Sequence, residues 1–187
     1  ALHALGGLDD EASLTAIVEA MKSLVTPDLV QIAGEELGRH GGRAHGFMLV
    51  ESFKGERYNV NEIHRLAAAL EIADRTRAND LRGKVIDAGL PYLRRLLLET
   101  PHGSLKQQAL RVVVSMGPPT ANPILWDVAA NGNEKQSDVR LRALRYLQET
   151  GGPPEAHALE QLAAREQDQK LKDGIQKAIE GILARGK

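Results

Sequence analysis

Apolar residues recur at helical spacing through most of the chain. Counted from Val139, they fall at offsets 0, 4, 7 and 8, which form a single stripe on an α-helix of about 3.6 residues per turn. Copies of this spacing begin at Leu29, Ile63, Leu105, Val139 and Leu171. The last three copies start 34 and then 32 residues apart, which leaves room for one more helix between neighbours. The pattern therefore predicts a repeated pair of helices.

The intervening helices are indicated by two similar stretches, LPYLRRLLLE and NPILWDVAAN, which align when Pro91 is set on Pro123. Each proline is expected in the first turn of its helix, where its missing N–H costs nothing. A helix pair of this size cannot cover its own apolar face, so neighbouring pairs are expected to stack. We predict an all-α fold, an α-solenoid of stacked antiparallel helix pairs with about four to five repeats.

One segment departs from the repeat. Four glycines fall within residues 39–61, and the spacing between the copies at Ile63 and Leu105 widens to 42 residues. We therefore predict a single helical-repeat domain over residues 1–187 with an irregular repeat or insertion at 39–61. Phe47, Phe53 and Tyr58 gather in this segment. They are expected to pack a distorted repeat, and a binding loop is the alternative.

The stretch DVRLRALRYL contains an acidic residue, a β-branched residue and a base, followed three positions later by a small residue. This pattern resembles the second helix of HEAT repeats, particularly the short HEAT repeats of phycobilin lyases. DLVQIAGEELG is similar, although Val30 replaces the base. The resemblance covers residues 1–38 and 90–185 and implies a stacked helical-repeat fold. The signature motifs of tetratricopeptide and ankyrin repeats, which have the same length, do not occur in the sequence.

The composition of the chain argues against several classes of function. The 24 basic and 25 acidic side chains nearly cancel, so no overall field draws the chain to nucleic acid or anionic lipid. The absence of cysteine excludes disulfides, thiolate metal ligands and a cysteine nucleophile. No apolar run approaches the roughly 18 residues of a membrane span, which predicts a soluble protein. The opening ALHALGG resembles the end of a helix and predicts a segment of a larger protein. Cytoplasm and periplasm both stay open as its location.

Motifs that carry chemistry are missing from the sequence. Neither G-x-x-x-x-G-K-[ST] nor G-x-S-x-G occurs, which argues against a phosphate-binding loop and a serine hydrolase elbow. His40 and His45 would need Glu35 or Glu36 and an unusual loop to form a metal site, so no metal is expected. We predict no catalytic residues and no cofactor, and therefore not an enzyme.

Cations recur on the side of the second helices that faces away from the apolar stripe. Offset 6 lies almost opposite the stripe on a helical wheel. In the last three repeats this position holds Arg111, Arg145 and Lys177, and Arg142 lies close to it. Since second helices line the concave side of such solenoids, these residues predict a basic strip inside the curve. Solvated surface charge is the alternative explanation.

Two further positions are informative. A second row, at offset 1, lies at the edge of the core and is expected to carry hydrogen bonds between neighbouring repeats, as the corresponding base does in the family resembled. This row consists of His64, Lys106, Arg140 and Lys172. Trp126 falls one residue off the apolar stripe of its helix and is expected to be half covered. An exposed tryptophan is a good anchor for a partner, whereas packing on the adjacent repeat is the structural alternative.

These features favour a non-catalytic protein-interaction scaffold that binds a protein partner with an acidic surface through its concave face. The predicted contact residues are Arg111, Arg142, Arg145, Lys177 and Trp126. One alternative is a scaffold or subunit of an enzyme, either similar to bilin lyases, as the resemblance implies, or fused to a catalytic domain. The other is a HEAT-like nucleic-acid-binding protein, which is disfavoured because it requires a more basic concave face.

Overall fold

A computed structural model describes residues 10–24, 26–55 and 58–185, which form ten α-helices and no β-strand. The helices are α1 (Glu11–Ser23), α2 (Pro27–His40), α3 (Arg43–Ser52), α4 (Val60–Thr76), α5 (Asn79–Glu99), α6 (Gly103–Ser115), α7 (Pro118–Ala130), α8 (Ser137–Thr150), α9 (Pro153–Arg165) and α10 (Gln169–Arg185). The five copies of the apolar template fall in α2, α4, α6, α8 and α10. The predicted all-α helical-repeat class is therefore confirmed.

Local sequence explains where several helices begin. The Asp10 carboxylate accepts a hydrogen bond of 2.8 Å from the Ser13 N–H at the start of α1, and Pro27 opens α2. Asn59 caps α4 as expected for a residue whose side chain can accept from the first turn. Gly117, which precedes α7, has a φ of 91°, a conformation that side chains with a Cβ rarely adopt.

The predicted positions of two prolines are wrong. Pro91 lies in the middle of α5, and Pro123 lies in the second turn of α7. The start of α7 is set earlier, by Gly117 and Pro118, and α5 runs straight through the position where the sequence predicted a helix start. Each internal proline removes one backbone hydrogen bond, a cost that the surrounding packing must offset.

Leu29 also departs from expectation. It was predicted to begin the apolar stripe of α2, but it is 40% exposed, whereas Val30 is fully buried. The buried stripe of α2 therefore begins at Val30, one residue later than in the other copies. Leu29, the third residue of α2, faces outward. Ala33 and Leu37 are fully buried, as predicted.

The chain forms two compact units that divide between Leu93 and Arg94. In the first unit, α1 packs on α2, α3 packs on α4, and the second helices α2 and α4 pack closely against each other. The prediction of one domain over residues 1–187 stays a prediction.

The irregular segment contains a helix, α3, which packs on α1 and α4. Two aromatic residues of this segment, Phe53 and Tyr58, lie close to Tyr92 of α5. The ring centroids of Phe53 and Tyr92 are 5.3 Å apart in an edge-to-face arrangement, and Tyr58 lies 6.5 Å from the same ring. The Tyr92 hydroxyl donates to the Asn59 carbonyl at 3.1 Å. These aromatics therefore pack within the repeat, in line with the first of the two expectations.

In the second unit, α6, α8 and α10 form one layer, in which α8 packs against both of its neighbours. Helix α7 packs on α6 and α8, and α9 packs on α10. Ala109, Ala143 and Ile175 occupy equivalent template positions, and all three are fully buried. Burial thus repeats along this unit with the period that the sequence shows. Within the described ranges, no helix is both long enough and apolar enough to cross a bilayer.

Replacing Ala143 by Asp tests this stacking. Ala143 is fully buried, so an unpaired carboxylate there should lower the free energy of unfolding by about 3 kcal/mol or more. Urea denaturation followed by circular dichroism measures the loss. The control is Ala164→Asp in the last turn of α9, where the side chain is exposed and where helix propensity and the helix dipole together should cost only about 1 kcal/mol. Equal losses in the two variants would contradict the assigned packing.

Candidate functional site

The row of bases at offset 1, which we call the inner basic row, joins neighbouring repeats at two of its positions. The Lys106 ammonium on α6 donates to the Glu134 carboxylate in the loop after α7, and both side chains are about 95% buried. On α8, Arg140 Nε donates to the Ala129 carbonyl at 2.9 Å, and its guanidinium pairs with Glu166 after α9. The predicted inter-repeat hydrogen bonds are confirmed at these two positions.

Glu166 shows how the loop residues hold these buried bases. Burial alone would raise the pKa of its carboxyl group, but hydrogen bonds from the Asp168 and Gln167 N–H groups and from Arg140 together hold that pKa below its usual value. Glu166 therefore stays ionised and matches the charge of Arg140. Lys106 and Arg140 are thus both paired with a carboxylate of the fold.

The cations on the opposite side of the second helices, which we call the outer row, have a different environment. Arg111, Arg145 and Lys177 are exposed, and Arg142 is half-buried. These exposures agree with the outward orientation that the helical wheel predicts. Among the residues that the structure describes, none of these four cations forms a salt bridge. Their charge is directed to solvent rather than to the fold.

A cleft of about 270 Å³ brings two of the predicted residues together between α8 and α10. Its lining consists of Leu141, Arg145, Gln148, Lys170, Asp173, Gly174 and Lys177. A Cβ atom added to Gly174 would lie 2.6 Å from Leu141 Cδ2, which is too close for an undisturbed contact. The glycine therefore allows α10 to approach α8 closely at the cleft.

The cleft has an excess of positive charge. Three of its lining residues, Arg145, Lys170 and Lys177, are cations, and Asp173 is the one carboxylate among the lining residues described. Lys170 Nζ donates to Asp138 Oδ1 at 2.9 Å, and this hydrogen bond, together with the charges of Lys170 and Arg145, lowers the pKa of Asp138. Asp138 thus pairs with Lys170 and also attracts Arg145, but neither Arg145 nor Lys177 forms a salt bridge with a described residue.

Lys170 was missed by the sequence reasoning, although a signal for it exists. Lys170 comes one residue before Leu171, just as Asp138 comes one residue before Val139. Equivalent positions in successive repeats lie about one helix spacing apart, so these two opposite charges can pair. An alignment of the positions just before each template would have found the pair.

Trp126 is half-buried, as expected, but it lies on α7 and outside the lining of the cleft. Helix α7 belongs to the other layer of the second unit, which separates Trp126 from the layer that carries the cations. The structure therefore places the predicted residues in two groups. Arg111, Arg142, Arg145 and Lys177 lie on second helices, and Trp126 lies on a first helix.

Metal-binding geometry is not found in the described part of the chain, where no three His, Asp or Glu side chains converge. His45 is fully buried. Its Nδ1 accepts a hydrogen bond of 3.0 Å from the Gly42 N–H, so Nε2 carries the proton and faces Thr15 Oγ1 at 3.3 Å. This histidine joins α3 to α1, and the nitrogen that faces the loop after His40 is already used by the Gly42 N–H, so it is not available for a metal shared with His40.

Residues 90–180 match the family model described as HEAT repeats. This segment of the chain belongs to the HEAT-repeat family. The match spans the end of α5, α6 to α9 and most of α10, and thus includes the cleft, the four outward cations and every member of the offset-1 row except His64. The HEAT resemblance inferred from DVRLRALRYL is confirmed, whereas the particular similarity to phycobilin lyases stays a prediction. No curated protein matches the sequence.

The ionised state of Glu166 generates a pH-dependent prediction. Because its pKa is lowered on folding, its contribution to stability is present above the unfolded value of about 4.5 and is lost as the pH falls through the folded value. Glu166→Gln should therefore cost about 1–3 kcal/mol at pH 7, and this difference should shrink below pH 4.5.

Urea denaturation of the wild type and of Glu166→Gln between pH 3 and pH 7 measures this difference. Glu149→Gln serves as the control, because Glu149 is an exposed carboxylate on α8 and its replacement should have little effect at any pH. A difference between Glu166→Gln and wild type that does not change with pH would contradict the role assigned to Glu166.

Proposed function

We propose that this HEAT-repeat protein is a non-catalytic scaffold that binds an acidic, extended segment of a protein partner along α6, α8 and α10. The observation that carries the proposal is the cleft between α8 and α10, where Arg145, Lys170 and Lys177 outnumber the one lining carboxylate described, Asp173, and where neither Arg145 nor Lys177 forms a salt bridge with a described residue. HEAT repeats commonly mediate protein interactions, which supports a binding role for this face.

The contrast between the two basic rows supports a ligand for the outer one. Lys106 and Arg140, which point inward, are each matched by a glutamate of the fold. The outer cations occupy equivalent positions in successive repeats, so like charges face each other across neighbouring helices and repel. An anionic ligand that lies across the helices would relieve this repulsion.

The spacing of the outer row suggests the form of the partner. Packed helices lie about 8–10 Å apart. An extended peptide advances about 3.3 Å per residue, so carboxylates at every third residue recur at about 10 Å. A segment with this pattern could contact Arg111, Arg145 and Lys177 in turn. Arg142, one turn before Arg145, adds positive charge on the same helix.

Trp126 is assigned a separate role in the proposal. Its half-buried ring on α7 is a candidate anchor for a second part of the same partner. Because it lies outside the cleft, its contribution should be independent of the charge of the cations, and the peptide that tests the cleft need not reach it.

Charge reversal of the cleft is the test. The double variant Arg145→Glu, Lys177→Glu should bind a fluorescein-labelled peptide of four Glu-Ser-Ser units at least about tenfold more weakly than wild type, because each reversal replaces an attraction by a repulsion. Fluorescence anisotropy at low salt measures the affinity. The melting temperature should stay within about 2 °C of wild type, since both side chains are exposed.

Two controls make the result specific. The double variant Lys135→Glu, Arg165→Glu makes the same change in net charge at exposed positions away from the cleft, and it should weaken binding less than about twofold. A peptide of the same composition with its four glutamates adjacent should bind less tightly than the spaced peptide. If both double variants lose affinity equally, the cleft is not the binding site.

A salt titration with duplex DNA tests the nucleic-acid alternative. The four outer cations should give no saturable binding near physiological salt. If binding does occur, weakens steeply as salt rises and is abolished by Arg145→Glu, Lys177→Glu, the partner of this face is a nucleic acid rather than an acidic protein segment.

A further inference from the structure

A second cleft, of about 760 Å³, lies in the first unit of the chain, away from every residue predicted as a site. It is formed where α1 and α3 end and α4 begins. Its described lining includes Lys22, Glu51, Lys54, Asn61, Glu62 and Arg65. Most of the lining side chains are polar, so the cleft differs from the apolar contacts that stack the helices.

Three polar side chains of α4 line this cleft and are nevertheless buried. Asn61, Glu62 and Arg65 are 5%, 9% and 8% exposed. Glu62 Oε1 accepts a hydrogen bond of 2.9 Å from Arg65, and Arg65 also donates to the Met21 carbonyl at 2.5 Å. Asn61 Nδ2 donates to the Leu24 carbonyl at 3.1 Å. The cluster is thus fixed to the end of α1 by two hydrogen bonds.

Each of these side chains has one buried atom without a hydrogen-bond partner among the residues that the structure describes. The atoms are Asn61 Oδ1, Glu62 Oε2 and Arg65 Nε. Buried polar atoms in proteins are nearly always paired, so three unpaired atoms in one cluster require an explanation. A fixed cluster that lines a cleft and has unused hydrogen-bonding capacity is the arrangement expected of a binding site.

Helix stacking does not account for the cluster. In the second unit, the inward bases Lys106 and Arg140 stand one residue after the start of the apolar template and pair with glutamates of the following loops. In α4 the inward base is Arg65, two residues after the template start, and its carboxylate partner is Glu62 of the same helix. This departure from the repeat leaves the unpaired atoms.

The unpaired atoms specify the chemistry of a ligand. Two of them, Asn61 Oδ1 and Glu62 Oε2, accept hydrogen bonds, and Arg65 Nε–H donates one. A primary carboxamide offers the complement, because its NH₂ has two N–H donors and its carbonyl is one acceptor. A carboxylate would be repelled by Glu62, and an ammonium group has no acceptor for Arg65.

The charge at the rim of the cleft indicates a second chemical group that the ligand should carry. Lys54 is an exposed cation in the lining, and its charge acts on Glu62. Lys22 also lines the cleft, but its ammonium pairs with Glu19. Lys54 therefore favours a negative group on the part of the ligand that lies nearer to solvent. We propose that this cleft binds a small molecule with both a primary carboxamide and a carboxylate, the class to which L-glutamine and L-asparagine belong.

The protonation of Glu62 is consistent with this ligand. Burial raises the pKa of Glu62, an effect that outweighs the charges of Arg65 and Lys54 and the hydrogen bonds that the carboxylate accepts from Arg65 and from the Lys54 N–H. An N–H donor from a ligand to Oε2 would favour the carboxylate form. Binding of a carboxamide should therefore lower the pKa of Glu62 towards its usual value.

Titration with L-glutamine and with L-glutamate tests the proposal, because the two molecules differ only in the group assigned to Asn61, Glu62 and Arg65. Calorimetry should detect saturable binding of L-glutamine and at least about tenfold weaker binding of L-glutamate. In ¹⁵N–¹H spectra of the wild-type protein, the Arg65 Nε–H signal should shift as L-glutamine saturates. The melting temperature should rise by about 3 °C at ten times the dissociation constant.

Lys54→Ala provides a variant that should not disturb the fold, because this side chain is exposed at the rim. It should weaken L-glutamine binding about fivefold, whereas Lys135→Ala, at an exposed position of the second unit, should have no effect. The proposal is overturned if L-glutamine does not bind saturably, which would leave the cluster hydrated only, or if L-glutamate binds equally well.

This inference is independent of the proposed scaffold function. The cleft at Asn61 belongs to the first unit, and the cationic cleft belongs to the second. Reversal of Arg145 and Lys177 should leave L-glutamine binding unchanged, so failure of one proposal is distinguishable from failure of the other.

Discussion

The architecture depends on the repeated burial of one narrow stripe on each second helix. Ala109, Ala143 and Ile175 have no exposed surface, because each lies where α6, α8 and α10 pack against their neighbours. Two of these three side chains are small, which lets the helices approach without a gap. Once the stripe is buried, the rotation of each helix is fixed. The opposite positions must then face solvent in every repeat.

This constraint divides the basic residues into two populations. A base next to the stripe, such as Arg140, is drawn under the neighbouring loop and requires a carboxylate there, since a buried charge without a partner is strongly unfavourable. A base opposite the stripe, such as Arg145, has no such requirement. Residues of the same type thus serve stability in one row and are available for recognition in the other.

The sequence predicted the helical class and the repeat well, because both follow from periodic burial within single helices. It was wrong about Pro91, Pro123 and Leu29, whose positions depend on where the neighbouring turns end. Gly117 and Pro118 compete with Pro123 to start α7, and single-helix periodicity does not rank such signals. Helix ends are therefore the least predictable feature of this repeat.

The candidate sites were predictable to different degrees. The outward orientation of the cations could be predicted from the helical wheel. The pairing of Lys170 with Asp138 could be predicted only by comparing equivalent positions in successive repeats. The cluster at Asn61 was not predictable in the same way. Its hydrogen bonds reach the carbonyls of Leu24 and Met21, about 40 positions earlier, and no local pattern encodes such contacts.

Gly174 has a consequence that its lack of a side chain conceals. A methyl group there would overlap the tip of Leu141, so a larger residue would require the Leu141 side chain to adopt another rotamer. Leu141 lines the same cleft as Arg145 and Lys177. Exchange of this one glycine would therefore reshape the cleft while every cation stays in place.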